Sequence, residues 1–500
     1  MKQRKQFALI LMLGLLVTSC GVSRKVEKVP TPTKTVEILA VNDMHAAIDN
    51  FPRFAYMVDS LRALYPDMLL FSGGDNQTGN PVNDQYAEKG MPMIELMNAL
   101  HFDLSAIGNH EFDSKPDGFL NNLQKARFDF LCANFSAPEG SVYPIRPYKI
   151  ITLPNGIRLA VTSLLNINET GIPDTHPDNA RPFSFGDPLQ KAREMLFLRD
   201  SCDLFIFLNH YGFEEDVQLA NQLPHGVVDL IIGGHSHTKI DTEQIHNDIL
   251  ITQAERKLKY ATLIKLRVHP DGKVERSMQL LTVGKKGSTD PAIAAMVDAF
   301  NNNPALKVAV AEATAQFNSY EQLGYLMADA LRAGTQTEIA IINFGGVRMD
   351  RWDNGAICVR DVYELDPFGN EMVIFQLTGK ELLGFYECAF GLDEQRPILG
   401  SGVVVHYLVK PDKSLKKVEL FTPDGAPIDP DKVYKVGMSS YMATAYPFRH
   451  DDPGTGLFRT SAENMIDYLR EMRTIPDYRQ EKRVTIEVET DEREADNIAR

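Results

Sequence analysis

Ten residues of this chain combine metal-ligand chemistry with short spacing: Asp43 and His45; Asp75; Asn109, His110, Glu111 and Asp113; His210; and His235 and His237. Carboxylates and neutral imidazoles bind Zn²⁺, Mn²⁺ and Fe ions, and an amide oxygen can join them. A pair of ions about 3.5–4 Å apart requires one bridging carboxylate and several terminal ligands. Asp43, His45, Asp75, Asn109, His210, His235 and His237 supply both kinds. Five of the twelve histidines fall in these clusters, which is too concentrated for scattered structural imidazoles. A water held by such ions loses its proton near neutral pH and becomes a nucleophile. The ions and a protonated His110 would then stabilise negative charge that develops on the group attacked. Asp113, three residues on, can orient that imidazole; its other reading is a cap or turn before Ser114. Glu111 either supports the ligands from behind or is a structural acid.

These clusters need a scaffold. Apolar stretches read as strands at Val36–Val41, Met68–Phe71, Leu104–Ile107, Phe128–Cys132, Leu159–Leu164, Leu204–Leu208, Leu230–Ile232 and Ile249–Thr252. Pro52–Leu64, Met91–Leu100 and Pro188–Leu198 read as helices between them. The alternation implies a layered α/β domain. Every cluster lies just beyond the carboxyl end of an apolar strand, where open α/β sheets build their sites. Residues 290–310 read as a helix and a break, a connector to a second α/β segment over about 311–487. There Asn343-Phe344-Gly345-Gly346-Val347-Arg348 follows the strand-like Ile339–Ile342. Glycine here allows close backbone approach, and Arg348 offers a planar fork to an anion. Asp366-Pro367-Phe368-Gly369-Asn370 comes about twenty residues later.

The whole chain has 500 residues, 44% of them hydrophobic and 24% charged, which suits globular protein of two or more domains. Its 52 basic and 67 acidic side chains give a net charge of −15. That is a poor footprint for a nucleic-acid polymer, though metals or a few arginines can still bind an anion locally. The start, MKQRKQFALILMLGLLVTSC, has a basic head and an apolar run too short to span a bilayer comfortably. Its end resembles a bacterial lipobox, with Cys20 as the lipidated residue; the alternative is an ordinary signal peptide with a chance cysteine. No other stretch approaches 18 apolar residues. Cys132, Cys202, Cys358 and Cys388 form no C-x-x-C pair and read as free thiols.

Taken together, D-x-H, G-D, G-N-H-E, N-H and G-H-x-H resemble the calcineurin-like metallophosphoesterases. G-N-H-E-F-D and the paired N-x-G-G-x-R and P-F-G-N motifs narrow the resemblance to the 5′-nucleotidase family. The resemblance implies a four-layer αββα metallophosphoesterase sandwich followed by a smaller α/β substrate domain. It divides the chain into a signal peptide (1–19), a tether (20–35), a catalytic domain (36–287), a connector (288–310), a substrate-binding domain (311–488) and a polar tail (489–500). It makes Asp43, His45 and His237 ligands of one divalent ion, Asn109, His210 and His235 ligands of the other, and Asp75 the bridge. His110 becomes the unliganded catalytic histidine, paired with Asp113. Asn343 and Arg348 then contact a nucleotide, Phe368 stacks on its base, and Asn370 meets the base edge.

Several positions depart from the family pattern. Ala46 stands where glycine is usual after D-x-H. The stretch 317–324 carries no arginine, so one phosphate contact is expected to be missing. The loop at 441–450 lacks the family's glycines, leaving Tyr446 or Phe448 as the second stacking aromatic. Arg351 reads as a solvated arginine. The expected activity is removal of phosphate from nucleoside 5′-monophosphates, with nucleotide sugars and 2′,3′-cyclic nucleotides as further substrates. The alternatives are the same metal chemistry on a non-nucleotide phosphate ester, and a non-catalytic surface lipoprotein. The expected partners are a small phosphate ester and a membrane lipid anchor, with no nucleic-acid polymer and no obligate protein. The expected location is the bacterial envelope; Gly21 after Cys20 favours the outer membrane.

Overall fold

The computed structural model describes residues 32–284, 287–392 and 395–489. Cys20, the export signal and most of the tether lie outside the described residues, as does the tail from Thr490.

Two sheets stack face to face in the first half. In the seven-stranded sheet the order is Val274–Thr282, Tyr260–Val268, Lys34–Val41, Leu69–Ser72, Leu104–Ala106, Asp129–Leu131 and Ile145–Arg146. The six-stranded sheet runs Gln244–His246, Ile249–Thr252, Leu230–Ile232, Leu204–Leu208, Arg158–Thr162 and Tyr148–Thr152. The central strands of both are parallel and buried on both faces, which is why they read as continuous apolar runs. Alternate residues serve different layers. Ile38, Ala40, Leu204, Ile206 and Leu208 fill the space between the sheets. Leu39 and Val41 face the helices on one outer side, with Phe51, Phe54 and Met97. Phe205 and Phe207 face Leu219 and Ala220 on the other. The result is the expected four-layer sandwich.

The hairpin of Tyr260–Val268 and Val274–Thr282 is not among the strands expected above. Its first strand pairs antiparallel with Lys34–Val41, so its placement comes from a distant partner rather than from a local apolar run. The stretch read as a helix to Leu198 is helical only to Met195 and then tightens into a 3₁₀ turn, Leu196–Ser201.

The connector is the helix Pro291–Phe300, whose amino end is capped by the Asp290 carboxylate accepting from the Ile293 N–H at 2.8 Å. Beyond it, a five-stranded sheet orders Leu399–Ser401, Ile339–Ile342, Val433–Ser439, Glu371–Thr378 and Thr455–Thr460. The helices Tyr320–Thr335 and Ser461–Met472 share one apolar cluster with Ile293 and Val297 of the connector and with the helices of the first half. The helix Gly379–Leu392 packs into a separate cluster on the sheet's other face. Among the described residues, no helix is long and apolar enough to cross a membrane.

Candidate active site

Sharp turns at the strand ends present the expected ligands. Asp43, His45, Asp75, His235 and His237 have φ of 47°, 45°, 51°, 77° and 54°, the left-handed region that costs a side-chain-bearing residue roughly 1–3 kcal/mol. The surroundings hold them there. Asp43 N–H donates to Gly74 O (2.9 Å), His45 N–H to Asp75 O (3.0 Å) and Ala46 N–H to Asn76 O (2.8 Å). Ala46 has φ of 50° and is fully buried, so the turn keeps its shape with a methyl where the family pattern has none. The Glu111 carboxylate accepts from the N–H groups of Asp75 (3.1 Å), Gly108 (2.7 Å) and Asn76 (2.8 Å). It supports the ligand turns from behind. At Gly108 a Cβ would lie 2.2 Å from Asp75 Oδ1, so only glycine fits.

The donor atoms converge. One ligand atom each of Asp43, His45 and His237 lie within 4.8 Å of one another, as do those of Asp43, Asp75 and His210. His210 Nδ1 faces Gly73 O at 2.8 Å and donates to it, which turns a lone pair on Nε2 toward Asp75 Oδ2 (3.2 Å) and Asn109 Oδ1 (3.2 Å). Asn109 Nδ2 donates to Asp174 O (2.9 Å), fixing its oxygen toward His210 and toward His235 Nδ1 (3.1 Å). His45 Nδ1 faces Thr78 O (3.2 Å), leaving Nε2 against His237 Nε2 at 2.9 Å. Buried acceptors thus point at acceptors, and this donor set fits divalent cations. Without them, burial and the cations nearby hold the imidazoles of His45 and His237 well below their usual pKa. Burial would lower His210 too, but Asp75 and Asp43 override it and carry the ring to about 10. A proton there occupies the place a metal would take.

His110 stands at the rim of this cluster. Its Nδ1 lies 2.7 Å from Asp113 Oδ2, so the Asp113 carboxylate serves the imidazole rather than capping the following helix. Thr175 Oγ1 donates to the other Asp113 oxygen (2.9 Å). Burial lowers the His110 pKa, but Asp75 and Asp113 outweigh it and raise it above the ordinary value. From the second half of the chain, Arg348 Nη2 comes to 3.5 Å from His110 Nε2, and the Phe368 ring stacks 5.7 Å away at 22°. The Arg348 guanidinium lies 5.5 Å from the Phe368 centroid.

A cavity of about 310 Å³ opens from these groups. Asn343, Arg348, Phe368, Asn370 and Tyr446 line it. Phe448 does not: its ring stacks on His450 at 4.3 Å and meets Phe385 edge-on at 4.8 Å, in the core. Arg351 is exposed and paired with Asp353. Sequence reasoning missed Glu169, Asp174, Thr175 and His176, which the loop after strand Arg158–Thr162 brings to the cavity, and Arg396 and Tyr441 on its far wall. Tyr441 sits in the aromatic stretch at 441–450; the loop residues carry no motif that could have flagged them.

Residues 36–239 match the family profile described as calcineurin-like phosphoesterase, and residues 301–446 match that of the 5′-nucleotidase C-terminal domain. A 5′-nucleotidase of Vibrio cholerae is 27% identical over 482 residues, covering 83% of this chain and 85% of its own length. Endonuclease YhcR of Bacillus subtilis is 26% identical over 477 residues, which cover 84% of this chain but 38% of that longer protein. A 5′-nucleotidase precursor from Thermus thermophilus has a crystal structure that superposes with a TM-score of 0.80 at 24% identity, covering 91% of this chain and 100% of that one. At that identity the likeness is one of fold.

Beneath the ligands lies Asp216, wholly buried, with Oδ1 accepting from Asn209 Nδ2 (2.7 Å) and Oδ2 unpartnered. Asn209 precedes His210 and holds the Leu164 N–H through its own oxygen (3.0 Å). Burial pushes the Asp216 carboxyl up to about 8. The native state therefore keeps a proton that the unfolded chain releases near the ordinary carboxylate value. This group's share of stability is full at low pH and is lost as pH rises toward 8. Asp216→Asn keeps the acceptor for Asn209 and removes the titration. Denaturant unfolding should show the variant gaining on the parent between pH 5 and 8 and no further above it; a pH-independent difference would place the charge elsewhere.

Proposed function

Because the chain belongs to the 5′-nucleotidase family of calcineurin-like phosphoesterases, we propose that it is a dimetal hydrolase removing phosphate from nucleoside 5′-monophosphates. The observation that carries this reading is the approach of Arg348 to His110. Arg348 Nη2 and His110 Nε2 lie 3.5 Å apart; a neutral imidazole accepts that hydrogen bond, but the raised pKa favours the protonated form, in which the two donors cannot satisfy one another. An anion between them can, and a phosphoryl group is the anion that the neighbouring donor cluster would process.

Two divalent ions held by Asp43, His45, Asp75, Asn109, His210, His235 and His237 would supply a polarised water and neutralise phosphoryl charge. The remaining work belongs to the chain. Asp113 accepts from Nδ1–H of His110 and so aims Nε2 into the cavity, where the raised pKa favours a proton on it. Arg348 forks onto the phosphoryl oxygens from the opposite side. Phe368 gives a base a stacking face, worth about 1–3 kcal/mol per base, and Asn343, Asn370 and Tyr446 line the path toward it. Thr175 keeps the Asp113 carboxylate from rotating away.

A second reading keeps the metal chemistry but changes the substrate. The far wall supports it: Phe448 is absent from the cavity, while the charged Arg396 and Glu169 line it. Metal-loaded protein assayed on AMP, sugar phosphates and bis(p-nitrophenyl) phosphate separates the two. Turnover highest on AMP supports the first reading; strong diesterase activity with negligible AMP turnover replaces it with the second. Failure to retain any ion after loading with Mn²⁺ or Zn²⁺ would leave a non-catalytic binding lipoprotein.

His110→Ala should lower kcat by about 10²–10⁴ with bound metal retained; an unchanged rate removes His110 from the mechanism. Arg348→Ala should raise KM for the nucleotide more than for p-nitrophenyl phosphate; equal losses on both deny it a nucleotide-specific role. The lipobox-like end of the apolar run supports export and lipid anchoring at Cys20. Incorporation of labelled palmitate that disappears in Cys20→Ser is the expected result, and label retained in that variant would refute it.

A further inference from the structure

Arg256 sits on a turn that no part of the mechanism above uses. The turn is bound closely to the metal-bearing loop: Asn42 Nδ2 donates to Glu255 O (2.7 Å), and Lys257 N–H donates to Asp43 O (2.8 Å). Asn42 Oδ1 accepts from the Ala254 N–H (2.7 Å), and Asn50 Nδ2 donates to Lys257 O (2.9 Å). Glu255, Lys257 and Leu258 all have positive φ, at 59°, 57° and 49°. Arg256 is therefore held in fixed register with Asp43, at a cost in backbone strain.

Its side chain crosses to the other half of the molecule. Arg256 Nη2 donates to the Tyr320 hydroxyl at 2.7 Å. Tyr320 opens the helix Tyr320–Thr335, inside the 317–324 stretch that carries no arginine of its own. Its ring packs against Phe344 at 5.2 Å and 36°. Phe344 starts the short turn between Asn343 and Arg348, and both of those residues line the cavity. A continuous path thus runs from the metal loop through Arg256, Tyr320 and Phe344 to the loop that carries Arg348.

The path brings cations together; Asp75 and Asp113 offset Arg348 in part, and Glu364 and Asp350 offset Lys257. Among the described residues, Arg256, Lys257 and Arg348 make no ion pair. Burial first, and then Arg348 and Arg256, push the Lys257 ammonium down to about 8. Burial and Arg256 likewise hold Arg348 below its ordinary value.

We propose that Arg256 is a positioning residue for substrate binding: from the catalytic half it fixes Tyr320, and through Tyr320 and Phe344 it seats Asn343 and Arg348 over His110. The proposal rests on the phosphohydrolase reading above. A second polar tie between the two halves gives the control. Arg360 bonds Asp49 and also reaches Asn301 Oδ1 (3.1 Å), whose Nδ2 donates back to Asp49 (2.7 Å); none of these residues lines the cavity.

The experiment measures KM and kcat of Arg256→Gln, Tyr320→Phe, their double variant, Arg256→Lys and Arg360→Gln. The substrate is AMP or, if AMP is not turned over, the best substrate of the panel, with p-nitrophenyl phosphate as reference. Lack of AMP turnover in the parent protein would count against the nucleotidase reading alone. Arg256→Gln and Tyr320→Phe should each raise KM by roughly 5- to 10-fold with kcat on the aryl phosphate within about 2-fold. The double variant should match the singles, because both break one contact. Arg256→Lys should recover most of the loss, and Arg360→Gln should leave KM within about 2-fold. Additive effects, an unaffected Tyr320→Phe or an equal rise in Arg360→Gln would each overturn the proposal. Thermal midpoints near the parent's establish that the variants fold; if Arg256→Gln does not, Tyr320→Phe decides alone by the same KM criterion.

Discussion

The arrangement around Asp75 is the constraint that the rest of the molecule serves. Buried oxygen and nitrogen lone pairs from five separate turns face one another there, and no internal hydrogen-bonding scheme satisfies them all. Such a cluster is unstable in isolation and stable around divalent charge. It persists because each turn is pinned from outside: the Glu111 carboxylate binds three backbone N–H groups, Gly73 O fixes His210, and Asp174 O fixes Asn109. The two stacked sheets bring the strand ends to one edge, and the positive-φ residues turn their side chains inward.

Much of this is legible in the amino-acid sequence because it is local. A ligand type directly after an apolar strand is a pattern within a few residues, and that pattern alone locates Asp43, Asp75, Asn109, His210 and His235. The Asp113–His110 pair is equally local, at a spacing of three. What escapes such reading is long-range. The strand Tyr260–Val268 takes its place from Lys34–Val41, more than two hundred residues away. Thr175 reaches Asp113 from a loop without a motif. Phe448 satisfies the same sequence pattern as Tyr446, and only the packing of Phe385 and His450 separates them. Side-chain contacts between distant segments leave no periodicity to read.

The departures from the family pattern differ in consequence. Ala46 keeps the left-handed turn at a cost of about 1–2 kcal/mol, and the ligand geometry around it survives. The arginine-free stretch at 317–324 matters more, because its Tyr320 packs on Phe344, between the cavity-lining Asn343 and Arg348. There the chain places a tyrosine, whose hydroxyl accepts a hydrogen bond from Arg256. In the first half the motifs depart at Ala46, and the other departures, at 317–324 and 441–450, fall in the second half.

The two halves meet across the gap between Arg348 and His110, and that gap has a thermodynamic sign. When His110 is protonated and nothing lies between them, the pair repels. When a dianion enters, the same two groups attract through it. A neutral product restores the repulsion once its phosphate has left. The charge that hydrolysis removes is therefore also the charge that lets these two groups sit together at the junction.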